Sequence, residues 1–343
     1  MNANNTNIKP QVQSKSILSI EDLQTCFATR DGLVTAVDGV TLEVRPGECL
    51  GVVGESGSGK SVTFASVMGL IKKPGYIARG SIRFAGRELV GMGDRDYRRL
   101  RGKDIAMTMQ DALTALNPAY TVGDQILEVI LAHDDSLSGS KRQRVREAKR
   151  KAVEMMQLVG IPSAENRLDE YPHQFSGGMR QRIMIAIALA CRPKLLIADE
   201  PTTALDVTIQ AQVLELIADI RRELGMSVVL ITHDLGVVAE YCDRVVVMYA
   251  GQIVESGPTL DVVGNPKHPY TRGLLGSIPD LEDLSRPIEP IPGQVPELID
   301  LPPQCRFLSR CPYRTADCEQ NIAMRRTSEE REVRCILFEG IEQ

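Results

Sequence analysis

The sequence predicts an α/β protein with a parallel β-sheet at its centre, and three observations lead to this fold class. Residues 195–198 and 228–231 are continuous apolar runs, which are typical of parallel strands buried on both faces. Residues 207–224 between them carry apolar side chains at helical spacing, so the three segments form a strand-helix-strand unit. A glycine-rich loop at residues 54–61 follows a third apolar run at residues 49–53.

Segments on both sides of this loop predict additional β-structure. Residues 17–27 and 34–44 have strand-like spacing and many β-branched side chains, and they predict an antiparallel pair in an N-terminal β subdomain. Residues 81–84 and 105–109 predict two further strands. Two more strands are expected within residues 244–256.

Residues 118–190 predict an inserted helical subdomain, because apolar residues recur there at helical spacing. Inside it, residues 141–151 carry seven basic side chains. Such a stretch is either a patch for nucleic acid or lipid headgroups or the solvated face of a helix. The absence of interleaved aromatic residues favours the solvated face. The net charge of −5 also argues against general nucleic-acid binding.

Changes in composition along the chain predict the boundaries between its segments. We predict a disordered N-terminus at residues 1–16, a main domain at residues 17–257 and an extended linker at residues 258–303. The linker is expected because residues 286–303 contain six prolines. A cysteine-rich extension follows at residues 304–343.

The chain has neither a run of about 18 uncharged apolar residues nor a secretory signal, so we expect no membrane span of its own. Because we expect that the protein is not exported, the cysteines outside the cysteine-rich extension, which we call the tail, should be reduced, buried thiols. These cysteines are Cys26, Cys49, Cys191 and Cys242.

The glycine-rich loop fits the phosphate-loop pattern G-x-x-x-x-G-K-S/T, which predicts a P-loop NTPase core. Its glycines let successive N–H groups point into one concavity at a helix N-terminus, and this arrangement favours an anion. Lys60 can reach the β- and γ-phosphates of a nucleotide, and the Ser61 hydroxyl can bind the accompanying Mg²⁺. The alternative is a tight turn that binds nothing. The predicted binding residues are Gly54, Glu55, Ser56, Gly57, Ser58, Gly59, Lys60, Ser61 and Val62.

Polar side chains follow two of the apolar runs, at the strand ends where parallel α/β sheets bind ligands. Asp199 can hold Mg²⁺ through its water shell, and Glu200 can polarise the water that attacks the γ-phosphate. His233 is placed to contact the γ-phosphate. The alternatives are a helix-capping role for the acidic pair and a structural role for the histidine.

These motifs together resemble ATP-binding cassette (ABC) ATPases over roughly residues 17–256. The resemblance rests on six segments in the family's order, namely residues 54–61, Gln110, residues 175–182, 195–200, 204–206 and 231–233. It implies that Gln110 binds Mg²⁺ and connects the nucleotide to the helical subdomain, and that Lys60, Gln110, Glu200 and His233 support ATP hydrolysis.

The same resemblance implies a head-to-tail pair of cassettes that encloses two ATP molecules. Ser176, Gly177 and Gly178 would cap the nucleotide of the facing subunit in trans, and Asp206 would also contribute. The signature departs from the family's usual Leu-Ser-Gly-Gly-Gln, because Phe175 and Met179 occupy its first and last positions. Phe27 is the only aromatic side chain before the loop that is available to stack on adenine, and a buried core role is its alternative.

Three more specific segments, residues 171–182, 265–271 and 292–296, are similar to the D-type ATPase subunit of oligopeptide/dipeptide ABC importers. This similarity implies a heterodimer with an F-type ATPase subunit, two transmembrane permease subunits and an external binding protein. It also implies a peripheral position on the cytoplasmic face of the membrane. Importers for nickel, opines or glutathione use similar ATPases. Two alternatives lie outside transport. One is a soluble ABC ATPase, and the other is a regulatory or structural module in which the cysteine-rich tail is the functional part.

The tail contains four cysteines, Cys305, Cys311, Cys318 and Cys335. Converging thiolates take a metal centre, but the closely spaced cysteine pair that is usual at structural zinc sites is absent. The wider spacing suits an iron–sulfur cluster, although it matches neither ferredoxin pattern. The subfamily resemblance implies a 4Fe–4S cluster, with zinc and plain thiols as the alternatives.

Overall fold

The computed structural model describes residues 16–109, 115–202, 206–277 and 290–338. Within these residues, β-strands form one sheet of eight strands and one of four. The strands are β1 (Leu18–Thr29), β2 (Gly32–Val44), β3 (Cys49–Val53), β4 (Gly75–Phe84), β5 (Arg87–Glu88), β6 (Ile105–Thr108), β7 (Leu195–Asp199), β8 (Ser227–Thr232), β9 (Arg244–Tyr249), β10 (Gln252–Pro258), β11 (Arg325–Ser328) and β12 (Arg331–Val333).

The larger sheet has the order β11-β12-β10-β9-β3-β8-β7-β6. Strands β9, β3, β8, β7 and β6 are parallel, and all residues of β3, β7 and β8 are buried. The predicted central parallel sheet is therefore confirmed. The parallel strands bring the carboxyl ends of β3, β7 and β8 to one edge, where the predicted site residues lie.

The smaller sheet, in the order β2-β1-β4-β5, is antiparallel. It corresponds to the predicted N-terminal β subdomain, and Leu18 pairs with Val44 on one side and Phe84 on the other. Side chains of β3 divide between two apolar clusters: Leu50 and Val52 face the cluster shared with the smaller sheet, and Cys49 and Val53 face the helical cluster. The central sheet thus separates two cores.

Helices make up the other regular elements of the described fold. The subdomain predicted at residues 118–190 contains four of them, and Ile126, Ile130 and Met156 are buried between these helices. The helices are α1 (Lys60–Val67), α2 (Asp94–Leu100), α3 (Val122–His133), α4 (Lys141–Leu158), α5 (Ala164–Arg167), α6 (Gly177–Leu189), α7 (Val207–Leu224), α8 (Leu235–Tyr241), α9 (Thr259–Gly264) and α10 (Pro269–Gly276).

The basic stretch at residues 141–151 lies on α4, which begins at the Ser140 capping box. Ala148, Ala152 and Met155 are buried on one side of this helix, whereas most of the basic side chains are exposed. Arg150 pairs with Glu147 and Glu154 on the same helix. The stretch therefore forms a solvated helix face with local charge pairing.

Part of the stretch predicted as an extended linker, residues 259–276, is folded into α9 and α10. Pro269 is the first residue of α10, where proline needs no hydrogen-bond partner for its nitrogen, and the His268 side chain caps the helix by accepting from the Tyr270 N–H. The proline thus marks a helix start. The tail also extends the main sheet, because β12 pairs antiparallel with β10.

Two sequence expectations concern thiols and membrane spans. Cys26, Cys49 and Cys242 are buried free thiols as predicted, but Cys191 is only half-buried. In the part of the chain that the structure describes, no helix has the length and apolar character needed to cross a membrane.

Candidate nucleotide-binding site

The phosphate loop connects the end of β3 to the start of α1. The backbone at Gly59 has φ +95°, a conformation that only glycine adopts readily, and this residue caps the helix. A Cβ atom at Gly59 would lie 2.5 Å from the Ala36 carbonyl oxygen of β2. The loop is therefore packed against the neighbouring sheet at this glycine and leaves no room for a side chain.

Lys60 directs its ammonium group back into the loop. Its Nζ donates to the carbonyl oxygens of Gly54 (2.6 Å) and Glu55 (2.9 Å) and to Ser58 Oγ (3.3 Å). Burial lowers the pKa of Lys60, although the nearby carboxylates of Glu200 and Asp199 oppose this shift. A buried ammonium group inside a ring of loop atoms can exchange these partners for phosphate oxygens.

Ser61 and Asp199 come together, although 138 residues separate them in the chain. Ser61 Oγ donates to Asp199 Oδ1 at 3.2 Å, where the carboxyl end of β7 meets the first turn of α1. Burial raises the pKa of Asp199, and the hydrogen bond from Ser61 acts in the opposite direction. A hydroxyl and a carboxylate oxygen are the ligands that Mg²⁺ prefers. This pair fits the Mg²⁺ that accompanies a nucleotide.

Glu200 and His233 lie beside this pair. His233 Nδ1 is 3.6 Å from Glu200 Oε1, and the Glu200 N–H donates to the Ile231 carbonyl of β8 at 2.9 Å. Glu200 has φ +45°, a strained conformation for a residue with a side chain, and such strain clusters at functional sites. The histidine is exposed, whereas the glutamate is mostly buried. The structure thus brings Lys60, Ser61, Asp199, Glu200 and His233 to one edge.

The signature segment is separate from this group. Ser176 caps α6 by accepting from the Met179 N–H at 3.3 Å, and Gly177 and Gly178 form the first turn. A Cβ on Gly178 would approach Ile209 of α7 at 2.7 Å. No hydrogen bond or ion pair among the described residues joins residues 176–178 to the phosphate loop of the same chain.

The other predicted site residues have local structural contacts. Phe27 is half-buried in β1, and its ring packs against the Gly75 backbone, where an added Cβ would lie 2.5 Å from the ring. Asp206 caps α7 by accepting from the Ile209 N–H at 2.9 Å. Gln110 lies outside the described residues.

All four cysteines of the tail line one small cavity, together with His268, Phe307 and Tyr313. Backbone N–H groups of Phe307, Tyr313 and Leu337 point at the sulfur atoms two residues before them in the chain. Burial raises the pKa of the Cys305 thiol to about 11. Within the described ranges, however, no three His, Cys, Asp or Glu side chains stand in an arrangement that could hold a metal ion.

Two residues of the C-terminal region contact the phosphate loop, and no motif in the sequence includes them in the site. Tyr270 and Arg310 both bind Glu55, the second residue of the loop. Tyr270 lies within residues 265–271, a segment whose sequence indicates only a similarity to the D-type subfamily. Tyr270 and Arg310 are 215 and 255 residues away from Glu55 in the chain, so their positions in the sequence do not indicate a contact.

Comparisons with known proteins agree with this geometry. Residues 37–203 match the family described as ABC transporter, and residues 254–318 match the C-terminal region of oligopeptide/dipeptide transporters. The dipeptide transport ATP-binding protein DppD of Bacillus subtilis is 50% identical over 309 residues, which cover 89% of this chain and 90% of the relative. The oligopeptide transport ATP-binding protein AppD of the same organism is 48% identical over 332 residues, covering 96% and 99%.

Solved structures give the same fold. The dimeric bacterial ABC transporter cassette MJ0796 is 25% identical with a TM-score of 0.61, covering 71% of this chain and 98% of that one. The cassette cbiO1 from Clostridium perfringens is 26% identical with a TM-score of 0.60, covering 73% and 92%. The chain therefore belongs to the ATP-hydrolysing subunits of ABC transporters, within the oligopeptide/dipeptide transport group.

Proposed function

We propose that this chain is the ATP-hydrolysing subunit of an ABC importer for oligopeptides or dipeptides. The observation that carries the proposal is the convergence of Lys60, Ser61, Asp199, Glu200 and His233 at the carboxyl ends of β3, β7 and β8. DppD and AppD of Bacillus subtilis, named for dipeptide and oligopeptide transport, support the choice of cargo class.

In this proposal the loop amides and Lys60 bind the β- and γ-phosphates of ATP. Ser61, Asp199 and Gln110 would hold the accompanying Mg²⁺, which would supply neutralisation of phosphate charge. Glu200 takes a proton from the attacking water as the water oxygen bonds to the γ-phosphorus and the bond to the ADP oxygen breaks. His233 contacts the γ-phosphate and lies close enough to Glu200 to orient it. Most of the catalysis is positioning and charge neutralisation.

The complete site requires a second cassette. Ser176 to Gly178 lie at the N-terminus of α6, which favours an anion, and among the described residues no hydrogen bond joins them to their own phosphate loop. We assign them to the nucleotide of a facing subunit, to which Asp206 also contributes. The dimeric solved cassette supports a pair of this kind. An F-type subunit is the proposed partner, because the D-type segments of this chain point to a heterodimer.

The proposed assembly lies on the cytoplasmic face of the cell membrane. Two permease subunits form the transmembrane path, and an external binding protein delivers the cargo. ATP binding closes the cassette pair and hydrolysis reopens it, and the helical subdomain at residues 118–190 passes this motion to the permeases. Phe27 is the proposed aromatic contact for adenine.

For the tail we propose a 4Fe–4S cluster held by Cys305, Cys311, Cys318 and Cys335. Their shared cavity and the N–H groups that point at three of the sulfurs support the choice, because such N–H groups stabilise thiolates. Since the thiols are not arranged to hold a metal, the side chains must converge when a cluster assembles. Protein purified without oxygen should be brown and absorb at about 400 nm. A colourless, zinc-loaded preparation would exclude the cluster.

Nucleotide binding tests the main proposal. The wild-type chain should bind Mg-ATP, and Lys60→Ala should lose most of that affinity because the charged partner of the phosphates is removed. A matched variant is Lys194→Ala, whose ammonium is exposed and pairs with Asp104. It should bind as the wild type does. Equal affinity in the Lys60→Ala variant would overturn the assigned site.

A further inference from the structure

Two residues that follow the main domain, Tyr270 and Arg310, hydrogen-bond to Glu55 of the phosphate loop. The Glu55 N–H donates to Tyr270 Oη at 2.8 Å. The Glu55 carboxylate accepts two hydrogen bonds from the Arg310 guanidinium, at 2.7 Å from Nη1 and 3.2 Å from Nη2. The Glu55 carbonyl accepts from Lys60 Nζ at 2.9 Å. The same carbonyl accepts from the Ser58 N–H at 3.2 Å. Every polar group of this loop residue is therefore held, and two of its four partners come from outside the loop.

Arg310 is itself fixed by several bonds. Its Nε donates to the Pro292 carbonyl at 2.9 Å, and its Nη2 donates to the Ile291 carbonyl at 3.2 Å. The guanidinium also donates to Tyr249 Oη at 3.4 Å and is almost completely buried. A guanidinium with this many partners has little freedom to follow a displaced loop, so it defines where the Glu55 carboxylate must lie.

Tyr270 is equally constrained. It has no exposed surface, and its ring packs 4.6 Å from the Tyr249 ring and 5.5 Å from the Phe307 ring, measured between centroids. Its N–H donates to His268 Nδ1 at 3.1 Å, at the start of α10. Burial raises the pKa of the Tyr270 hydroxyl. The hydroxyl is thus a fixed acceptor for the Glu55 amide.

We propose that Tyr270 and Arg310 are positioning residues that hold the phosphate loop in its phosphate-binding shape from the C-terminal region. Since the Glu55 amide is tied to Tyr270, the peptide plane that follows Gly54 has a set orientation before nucleotide arrives. The loop then loses less conformational entropy when it binds phosphates. Because Arg310 precedes Cys311 directly, the cysteine cavity is connected to the ATP site by one peptide bond and one side chain.

The chain provides a matched control for this proposal. Arg306 also belongs to the tail and also donates to a core carboxylate, Asp38, at 2.7 Å. Its side chain is 9% exposed, and that of Arg310 is 5% exposed. Asp38 lies on β2, outside the phosphate loop. Loss of either arginine removes a similar ion pair between tail and core, but only Arg310 contacts the loop.

The test compares Tyr270→Phe, Arg310→Gln, Arg310→Lys and Arg306→Gln in the full-length chain. Mg-ATP affinity is measured by calorimetric titration, unfolding is measured in urea, and KM and kcat are measured in the assembled transporter. Tyr270→Phe and Arg310→Gln should raise Kd and KM about tenfold and leave kcat within about twofold, and Arg310→Lys should restore part of the affinity. Arg306→Gln should lower stability without changing Kd.

The outcomes separate this inference from the proposed function on which it rests. Wild-type affinity in Arg310→Gln and Tyr270→Phe would overturn the inference and leave the function intact. An equal rise of Kd in Arg306→Gln would also overturn it, because docking of the tail in general would then be responsible. A wild-type chain that fails to bind Mg-ATP would overturn both. If Arg310→Gln does not fold, Glu55→Gln breaks the same ion pair from the loop side and carries the same prediction.

Discussion

The packing of Gly59 makes the phosphate loop sensitive to a single methyl group. In a Gly59→Ala variant the new Cβ would lie 2.5 Å from the Ala36 carbonyl oxygen and 3.3 Å from Gly251 Cα, both backbone atoms that cannot rotate away. The backbone at φ +95° adds about 1–2 kcal/mol of strain for any residue with a Cβ. Together the clash and the strain should cost at least about 2 kcal/mol in the binding-competent loop shape, which corresponds to a Kd for Mg-ATP roughly 30-fold higher.

A second glycine in the same loop supplies the control. Gly57 has φ +78°, but no atom lies within 4 Å of an added Cβ. Gly57→Ala should therefore show the backbone strain alone, with a Kd about 5- to 30-fold higher and below that of Gly59→Ala. Calorimetric titration with Mg-ATP and urea unfolding of both variants measure affinity and stability separately. Gly59→Ala affinity within threefold of the wild type, or equal losses in the two variants, would refute the packing argument.

Three further predictions concern hydrolysis, pairing and pH. Glu200→Gln should bind Mg-ATP normally but lower phosphate release in the assembled transporter by about 100-fold or more, and normal turnover would exclude its role as base. Ser176→Ala should leave the Mg-ATP affinity of the isolated chain unchanged and lower hydrolysis only in the paired complex; an affinity loss in the isolated chain would argue against action in trans. Burial, followed by the charge of Arg334, lowers the pKa of His268 from 6.5 to about 3. The unfolded chain takes up this proton first, so the contribution to stability is full above pH 6.5 and is lost as the pH falls towards 3, by about 2 kcal/mol at pH 5. His268→Asn, which keeps a capping acceptor, should flatten the dependence of urea unfolding on pH between 7 and 5, whereas an unchanged slope would contradict this assignment.

The sequence predicts the central sheet well because its strands are buried on both faces. Continuous apolar runs such as residues 195–198 leave no other stable environment than the interior of a parallel sheet. The apolar runs also predict which edge of the sheet carries the site, since Asp199 and His233 follow two of these runs. The order of the motifs and the physical rule for strand ends are enough to bring them near Ser61.

The C-terminal half of the chain is harder to predict because proline occurs both in extended segments and at the first position of helices. Pro269 lies within the predicted linker at residues 258–303, but it starts α10, where its fixed φ favours the helix. The sequence also does not predict the pairing of β12 with β10, since each contributes only a short segment with no alternating pattern. Local spacing does not contain the information on which distant strand a three-residue strand joins.

Contacts such as that of Glu55 with Arg310 are invisible to motif reasoning for a different reason. The motif G-x-x-x-x-G-K-S/T leaves position 55 open, because the phosphates are bound by the amides and by Lys60. What holds Glu55 depends on tertiary packing of Tyr249, Tyr270 and Phe307, which assembles far from the loop in sequence. Asp206 differs from Glu55, because it belongs to a motif and its contact is local: it caps α7.

The most direct test of the central claim is ATP hydrolysis by this chain in proteoliposomes with an F-type subunit, two permease subunits and an external binding protein. Our account predicts Mg²⁺-dependent hydrolysis that rises when the binding protein carries a peptide, together with uptake of that peptide, and loss of both in the Glu200→Gln variant. Peptide-independent hydrolysis without uptake, or uptake that persists in the Glu200→Gln variant, would contradict the account.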